Sequence, residues 1–343
     1  MSGIKELDAV VVPQGSTYKM YHGLETESQG ERITPRDAKE NGIFFPIHDA
    51  EVTAELAGGH TVPMPNSRAF LAETASGLVP LHMGTASYRP VTNEKIAGAI
   101  STALRQTNAD SILSAMGTLN NLKTFFMSFK MGDDLVCGEK HSSYLNVTGG
   151  HDGTAVRAFL SDLRLTCMNT IQSALSSGKG FIDLRITHRG DINGKCADLT
   201  KNITGLIEGR QIYVESMEKL ADQKVVAADL PAIVTGYYLK DGFGKDEVVS
   251  TRTLNAIQGI TDLAVSGRGN SGESMYDVLN GATEYWTSGD GVGRTTSGSR
   301  KAFSSEFGTA ARHKVAFANY LLSGPHEAAI EDGHRVLGAA FSS

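Results

Sequence analysis

Between Tyr144 and Leu175 the chain reads YLNVTGGHDGTAVRAFLSDLRLTCMNTIQSAL, and no other stretch restricts the fold as much. Leu145 and Val147 alternate with Tyr144, Asn146 and Thr148, the two-residue period of a strand. Gly149, Gly150, Asp152 and Gly153 supply turn chemistry: glycine accepts positive φ, and an aspartate side chain bonds the backbone two residues on. An extended run follows from Val156 to Thr166, and Met168 to Leu175 has the pattern of a starting helix. Strands joined by so short a turn fit antiparallel pairing better than a crossover connection.

The flanking sequence extends this sheet. Leu122 to Met131 reads as a strand with Phe125, Met127 and Phe129 on one face and Thr124, Phe126, Ser128 and Lys130 on the other. Gly132-Asp133-Asp134 predicts a turn into Leu135–Cys137, and Gly138 to Ser142 a further connection. After Gly178-Lys179-Gly180, FIDLRITHR predicts a strand with Ile182, Leu184, Ile186 and His188 on one face. Shorter strands are expected around Phe44–Ile47, Arg68–Glu73 and Leu78–Met83. Thr34 caps a short helix within Ile33–Gly42, and Asn93 to Gln106 predicts a helix with Ile96, Ala99, Ile100 and Ala103 on one side.

Past Gly194 the period becomes helical. A long pattern from Ala197 to Ala228 ends at Pro231, and Leu239 to Asp246 is a Gly-rich loop. Helices follow over Thr251–Val265, Ser274–Trp286 and Lys301–Leu322. The expected fold is therefore α+β: a curved antiparallel sheet packed by helices, followed by a mainly helical C-terminal part. In domain terms this gives an arm over 1–32, an α+β core over 33–195, a helical region over 196–322 and a small-residue peripheral tail over 323–343.

Composition excludes several classes. Apolar residues make up 40% of the 343-residue chain and charged residues 20%, as in a soluble globular protein. The start MSGIKELDAV lacks a signal-peptide pattern, and no run approaches the ~20 apolar residues of a membrane span. Three scattered cysteines make neither a disulfide framework nor a zinc knuckle, so a reduced, cytoplasmic protein is expected, with no membrane partner. A net charge of −6 is unlike a wholly basic nucleic-acid coat but allows a local basic groove.

Catalytic signals are weak. SGDGVGR carries Gly289, Gly291 and Gly293, but it follows Trp286 at a helix end and lacks a P-loop's strand, Lys and Ser/Thr, so no nucleotide site is assigned. Cys167 with His151 and His188 would suit a Cys/His nucleophile, yet nothing in the sequence brings them together. His141 and His151 read as turn residues rather than ligands, no metal spacing occurs, and no cofactor is expected. Basic residues are the more useful pattern: Lys123, Lys130, Lys140, Arg157, Arg164, Lys179, Arg185, His188, Arg189 and Lys195 all fall in one stretch. Arg185 and Arg189 share a strand face, whereas Arg157 and Arg164 fall on opposite faces of an unbroken strand. Such a sheet could track a phosphate backbone, or it could be a solvated face balanced by Asp133, Asp134, Asp162 and Asp183. Phe126, Tyr144, Phe159 or Phe181 could stack bases, or pack in the core.

The Tyr144–Leu175 block, RITHRGDI at Arg185–Ile192 and LHMGTASYRPVTNEKI at Leu81–Ile96 resemble the phage/plasmid-like family with domain of unknown function 932. LNGATEYWT and SRKAFSSEFGTAARHKVAFANYLL resemble its C-terminal helical part. The phenylalanine-rich strand and the short loop after Trp286 depart from the family pattern. The resemblance implies DNA metabolism, and more distantly the chain resembles ring-forming single-strand annealing proteins of the Rad-group, Erf and RecT kinds.

The expected function is single-stranded DNA binding and annealing in phage or plasmid recombination, by a homo-oligomeric ring or filament with no catalytic residue. Lys130, Arg157, Arg164, Lys179, Arg185 and Arg189 would contact phosphates, with Arg294 and Arg300 from the TSGDGVGRTTSGSR loop. A phage nuclease or a single-strand binding protein would be a further partner. The alternative is a structural or regulatory interaction protein of a phage or plasmid that does not bind DNA. An enzyme ranks third, because a nuclease needs clustered carboxylates for a metal and none stand out.

Overall fold

The computed structural model describes residues 7–16, 26–106, 111–164, 169–172, 194, 212–239, 249–287, 309–324 and 327–341. These divide into two compact units, one of 7–132 with 144–160 and 194, the other of 133–143, 161–172 and 212–341. The fold class is the expected one, α+β, with antiparallel sheets followed by helices.

The first unit is built on strands β1 (Leu7–Val12), β2 (Thr26–Glu27), β6 (Ile112–Leu119), β7 (Thr124–Val136), β8 (Glu139–Gly150) and β9 (Arg157–Arg164), with β7, β8 and β9 running on into the second unit. Their order is β9-β8-β7-β6-β1-β2, with β1 antiparallel to β6 and parallel to the two-residue β2. Alternation makes one face apolar: Phe125, Met127 and Phe129 join Leu145, Val147, Ala158, Leu160, Met116 and Val11. Helix α2 (Asn93–Gln106) has the predicted bounds and packs Ile96, Ile100, Ala103 and Leu104 into the same core. Full burial of each large apolar side chain contributes about 2 kcal/mol.

Helix α1 (Pro35–Glu40) is held by a capping box. Asp37 N–H donates to Thr34 Oγ1 at 3.2 Å, and Thr34 N–H donates to Asp37 Oδ2 at 2.7 Å. A second sheet, in the order β3-β4-β5, consists of β3 (Ile47–Glu55), β4 (Thr61–Thr74) and β5 (Gly77–Thr85), all antiparallel. Phe45, Ala72 and Leu81 form its small core. The strand expected at Phe44–Ile47 therefore begins only at Ile47 and continues to Glu55.

In the second unit the expected turn at Gly132-Asp133-Asp134 does not form, because β7 runs through it to Val136. Cross-strand contacts hold Asp133 in the strand: Ser142 Oγ donates to its Oδ1 at 2.5 Å, and Lys140 Nζ lies 3.4 Å from its Oδ2. The reversal comes at Cys137-Gly138, with φ of 51° and 79°. Positive φ at both positions is the two-residue hairpin geometry that matches strand twist, and Gly138 adopts it without a Cβ clash. The helix expected from Met168 is likewise replaced, over Asn169–Gln172, by strand β10, which pairs antiparallel with Ser161–Arg164.

Residues 212–222 are helical (α3), and α4 (Leu230–Leu239), α5 (Thr251–Ser266), α6 (Met275–Thr287), α7 (Thr309–Leu322) and α8 (Glu327–Phe341) follow. Pro231 does not close a helix as expected. It sits in the first turn of α4, where its missing N–H has no intrahelical partner to lose. Residues 323–343, read as a peripheral tail, instead carry α8, which lies along α4 and buries Leu337 in the helical core. That core gathers Tyr213, Leu220, Ile233, Ile260, Trp286 and Phe317. No helix among the described residues is long and apolar enough to cross a membrane.

Candidate functional site

Of the eight expected phosphate contacts, the structure places two side chains. Lys130 lies on β7 and Arg157 on β9, separated by β8. Their neighbours in sequence, Phe129 and Ala158, point into the core shared with α2, so both basic residues project from the opposite sheet face. Arg157 is exposed and Lys130 half-buried. β9 is continuous as far as Arg164, but the Arg164 side chain and all of Lys179, Arg185, Arg189, Arg294 and Arg300 lie outside the described residues.

The aromatic candidates on this face are not stacking platforms. Phe126 is 0% exposed, Tyr144 2% and Phe159 9%, so none offers an open ring to a base. Phe181 lies outside the described residues. Ser128 Oγ donates to Asn146 Oδ1 at 2.6 Å on the same face, a buried bond that fixes the β7–β8 pairing. Alternation identifies the side a residue faces; it does not reveal that this side is covered.

The structure also joins two of the sequence blocks through a contact that sequence reasoning missed. Asn93 begins α2 and His151 follows β8, and each is 1% exposed. Asn93 Nδ2 donates to the carbonyl of Ile43 at 2.8 Å. That leaves Asn93 Oδ1 as an acceptor, so His151, 2.8 Å away, carries its proton on Nε2. The His151 backbone N–H donates to Lys123 O at 2.7 Å, and the ring meets Phe45 edge-on at 5.6 Å. His151 stands in the expected turn after β8 and is at the same time a buried pin for the start of α2. His141, expected in a connection, lies inside β8, with Nε2 3.0 Å from Tyr276 Oη on α6. The signal for the first pair was present as an asparagine at a helix start and a histidine beside a glycine turn, but neither block names its partner.

Around the pin, Asp152 Oδ1 accepts the Thr154 N–H at 3.0 Å, which is the expected turn bond. Tyr88, His82 and Phe70 pack nearby, with Tyr88 centred 4.8 Å from Phe70 and 5.1 Å from His82. Burial, and then the Asp152 charge, push the Tyr88 hydroxyl up to about 12, against a lowering hydrogen bond from Gly153. Burial also raises Tyr320 to about 12 in the second unit, where its hydroxyl donates to Ile233 O at 3.0 Å. These phenols ionise near 10 when unfolded, so the folded state keeps their protons between about pH 10 and 12 and loses stability as pH rises through that window. Thermal scans by circular dichroism, run beside absorbance at 295 nm, are expected to show the melting temperature falling before the buried tyrosines ionise in the folded protein. A melting temperature constant to pH 12 would contradict this. Among the described residues no group of three or more His, Cys, Asp or Glu side chains is placed to hold a metal ion.

The molecule is thus an α+β protein whose first unit carries a sheet pinned to a helix by a buried Asn–His pair. The chain belongs to the family described as a domain of unknown function (DUF932), whose model matches residues 80–305 and so takes in both members of that pair. No curated protein matches the chain. No solved structure matches it either.

Proposed function

We propose that this protein binds single-stranded DNA and anneals it in phage or plasmid recombination, without an enzymatic step and as a homo-oligomer. The observation that carries this reading is that Lys130 and Arg157, from strands on either side of β8, project from one sheet face. Arg157 is exposed and Lys130 half-buried, so the two would hold phosphates of an extended strand where that face is left uncovered. The buried aromatic rings of this face give no base contacts, so binding rests on the DNA backbone and is indifferent to sequence, as annealing requires. The likeness to ring-forming annealing proteins belongs to this proposal.

Fluorescence anisotropy with a labelled single-stranded oligonucleotide tests it. Binding is expected at low salt and to weaken as salt rises, with each phosphate contact contributing about 0.7 to the slope of log K against log salt. Lys130→Ala with Arg157→Ala is expected to reduce the slope by about 1.4 while the far-ultraviolet circular dichroism stays that of the parent. No binding at low salt and micromolar protein would overturn the proposal, and an unchanged slope would place the groove elsewhere.

A second reading, an interaction protein that does not touch DNA, is favoured by the open apolar face of the β3-β4-β5 sheet, where Leu78 is 59% and Met83 65% exposed. It predicts assembly in light scattering that is the same with and without oligonucleotide.

A further inference from the structure

We infer that strand β5 is an interface between two copies of this chain, paired edge to edge about a two-fold axis. Among the described residues the β3-β4-β5 sheet has two edges, and they differ in chemistry. Edge strand β3 carries Asp49, Glu51 and Glu55, all exposed, the kind of charge that blocks pairing with another chain. Edge strand β5, GLVPLHMGT, has no carboxylate, lysine or arginine over its nine residues.

The register sets the exposed side chains of β5 on one face. Leu78 pairs with Glu73, Pro80 with Leu71 and Met83 with Ala69, all odd-numbered positions of β4. Ala72 and Phe70 occupy the other face and are buried. On β5 this outer face carries Leu78, Pro80 and Met83, with Leu78 and Met83 more than half exposed; the charge on the face lies further in, in the exposed His48–Glu73 pair.

Charge selects the occupant. Pairing β3 with a second β3 would set carboxylates against carboxylates, and pairing β3 with β5 would line Asp49 and Glu51, which share the Phe70 side of the sheet, along a strand with no cation to meet them. Pairing β5 with its own copy meets no charge at all and continues the strip across the two-fold axis, so the strand is its own complement. Pro80 withholds one N–H and β5 shifts register beside it at Leu81, so the ladder would rest on the residues flanking that step. This surface gives the proposed homo-oligomer a contact, and rests on that reading only for there being more than one copy.

Sedimentation velocity on the full chain, without nucleic acid, tests the interface and leaves DNA binding untouched. The parent is expected at twice its 36.5 kDa mass. Leu78→Lys with Met83→Lys is expected to halve the mass and leave the circular dichroism unchanged, since both side chains are exposed. Met83→Glu alone serves if the pair misfolds, and is expected to shift the equilibrium toward monomer. Glu51→Lys with Glu55→Lys on the other edge is expected to remain dimeric. A monomeric parent, a dimeric and folded β5 variant, or dissociation by the β3 variant alone would each overturn the inference.

Discussion

Asn93→Ala is expected to destabilise the first unit by about 3 kcal/mol, out of proportion to the few atoms removed. The side chain is buried and bonds both ways, donating to Ile43 O and accepting from His151 Nε2, each at 2.8 Å. Truncation leaves a buried carbonyl and a buried ring N–H without those partners, and each orphaned group costs about 1–3 kcal/mol. Urea unfolding followed by circular dichroism reads this as a lower midpoint. A double-mutant cycle with His151→Ala separates the pair from the general loss of packing. Coupling of about 1 kcal/mol or more is expected, because the first truncation already removes what the second would break. Additive costs would show that Asn93 and His151 act independently, and the pin would be no more than two neighbouring side chains.

The second large effect lies in the helical unit. Gly281→Val is expected to cost about 3 kcal/mol, because α5 and α6 cross where Gly281 has no side chain. A Cβ at this position would stand 2.5 Å from Ala264 N and 2.8 Å from Ile260 O, both backbone atoms of α5 that no rotamer change can move aside. The helices would have to separate, opening the core at Ile260 and Ala282. Gly98→Ala on α2 is the control: nothing lies within 4 Å of its added Cβ, so helix propensity alone should raise stability by up to about 1 kcal/mol. Thermal unfolding of the two variants in parallel should show opposite signs. A neutral Gly281→Val would mean that the crossing tolerates expansion and that the close approach carries little of the core.

Elements were legible in the sequence where one local signal sufficed. Helix α2 follows from the apolar positions Ile96, Ile100 and Ala103, with Thr92 Oγ1 accepting the Lys95 N–H at its start. The two faces of β7 follow from alternation alone. The reading failed where two local signals competed. Gly132-Asp133-Asp134 has turn chemistry, but the contacts of Asp133 to Ser142 and Lys140 keep it extended. Asn169–Gln172 has helix-compatible neighbours, but its pairing with Ser161–Arg164 makes it a strand. Pro231 is equally consistent with the end of one helix and the start of the next, and only the packing of α4 decides. Alternation separates Phe126 and Tyr144 from their core-facing neighbours, yet their burial depends on what covers that face.

By itself the sequence determined the local periods, the antiparallel character of the sheet, the helical C-terminal half and the residues that carry the family resemblance. Each depends on residues within a few positions of one another, where backbone sterics and side-chain spacing act directly. The tertiary structure decided which distant residues meet. Asn93 and His151 are 58 positions apart and unremarkable singly, and they become a unit only when β8 delivers one to the start of the helix that bears the other. It also decided that one edge of the small sheet is charged and the other apolar, since an edge exists only once strand order is fixed. Both belong to geometry rather than to spelling: the free energy of a buried bond or an open edge depends on what the rest of the chain brings within a few ångströms.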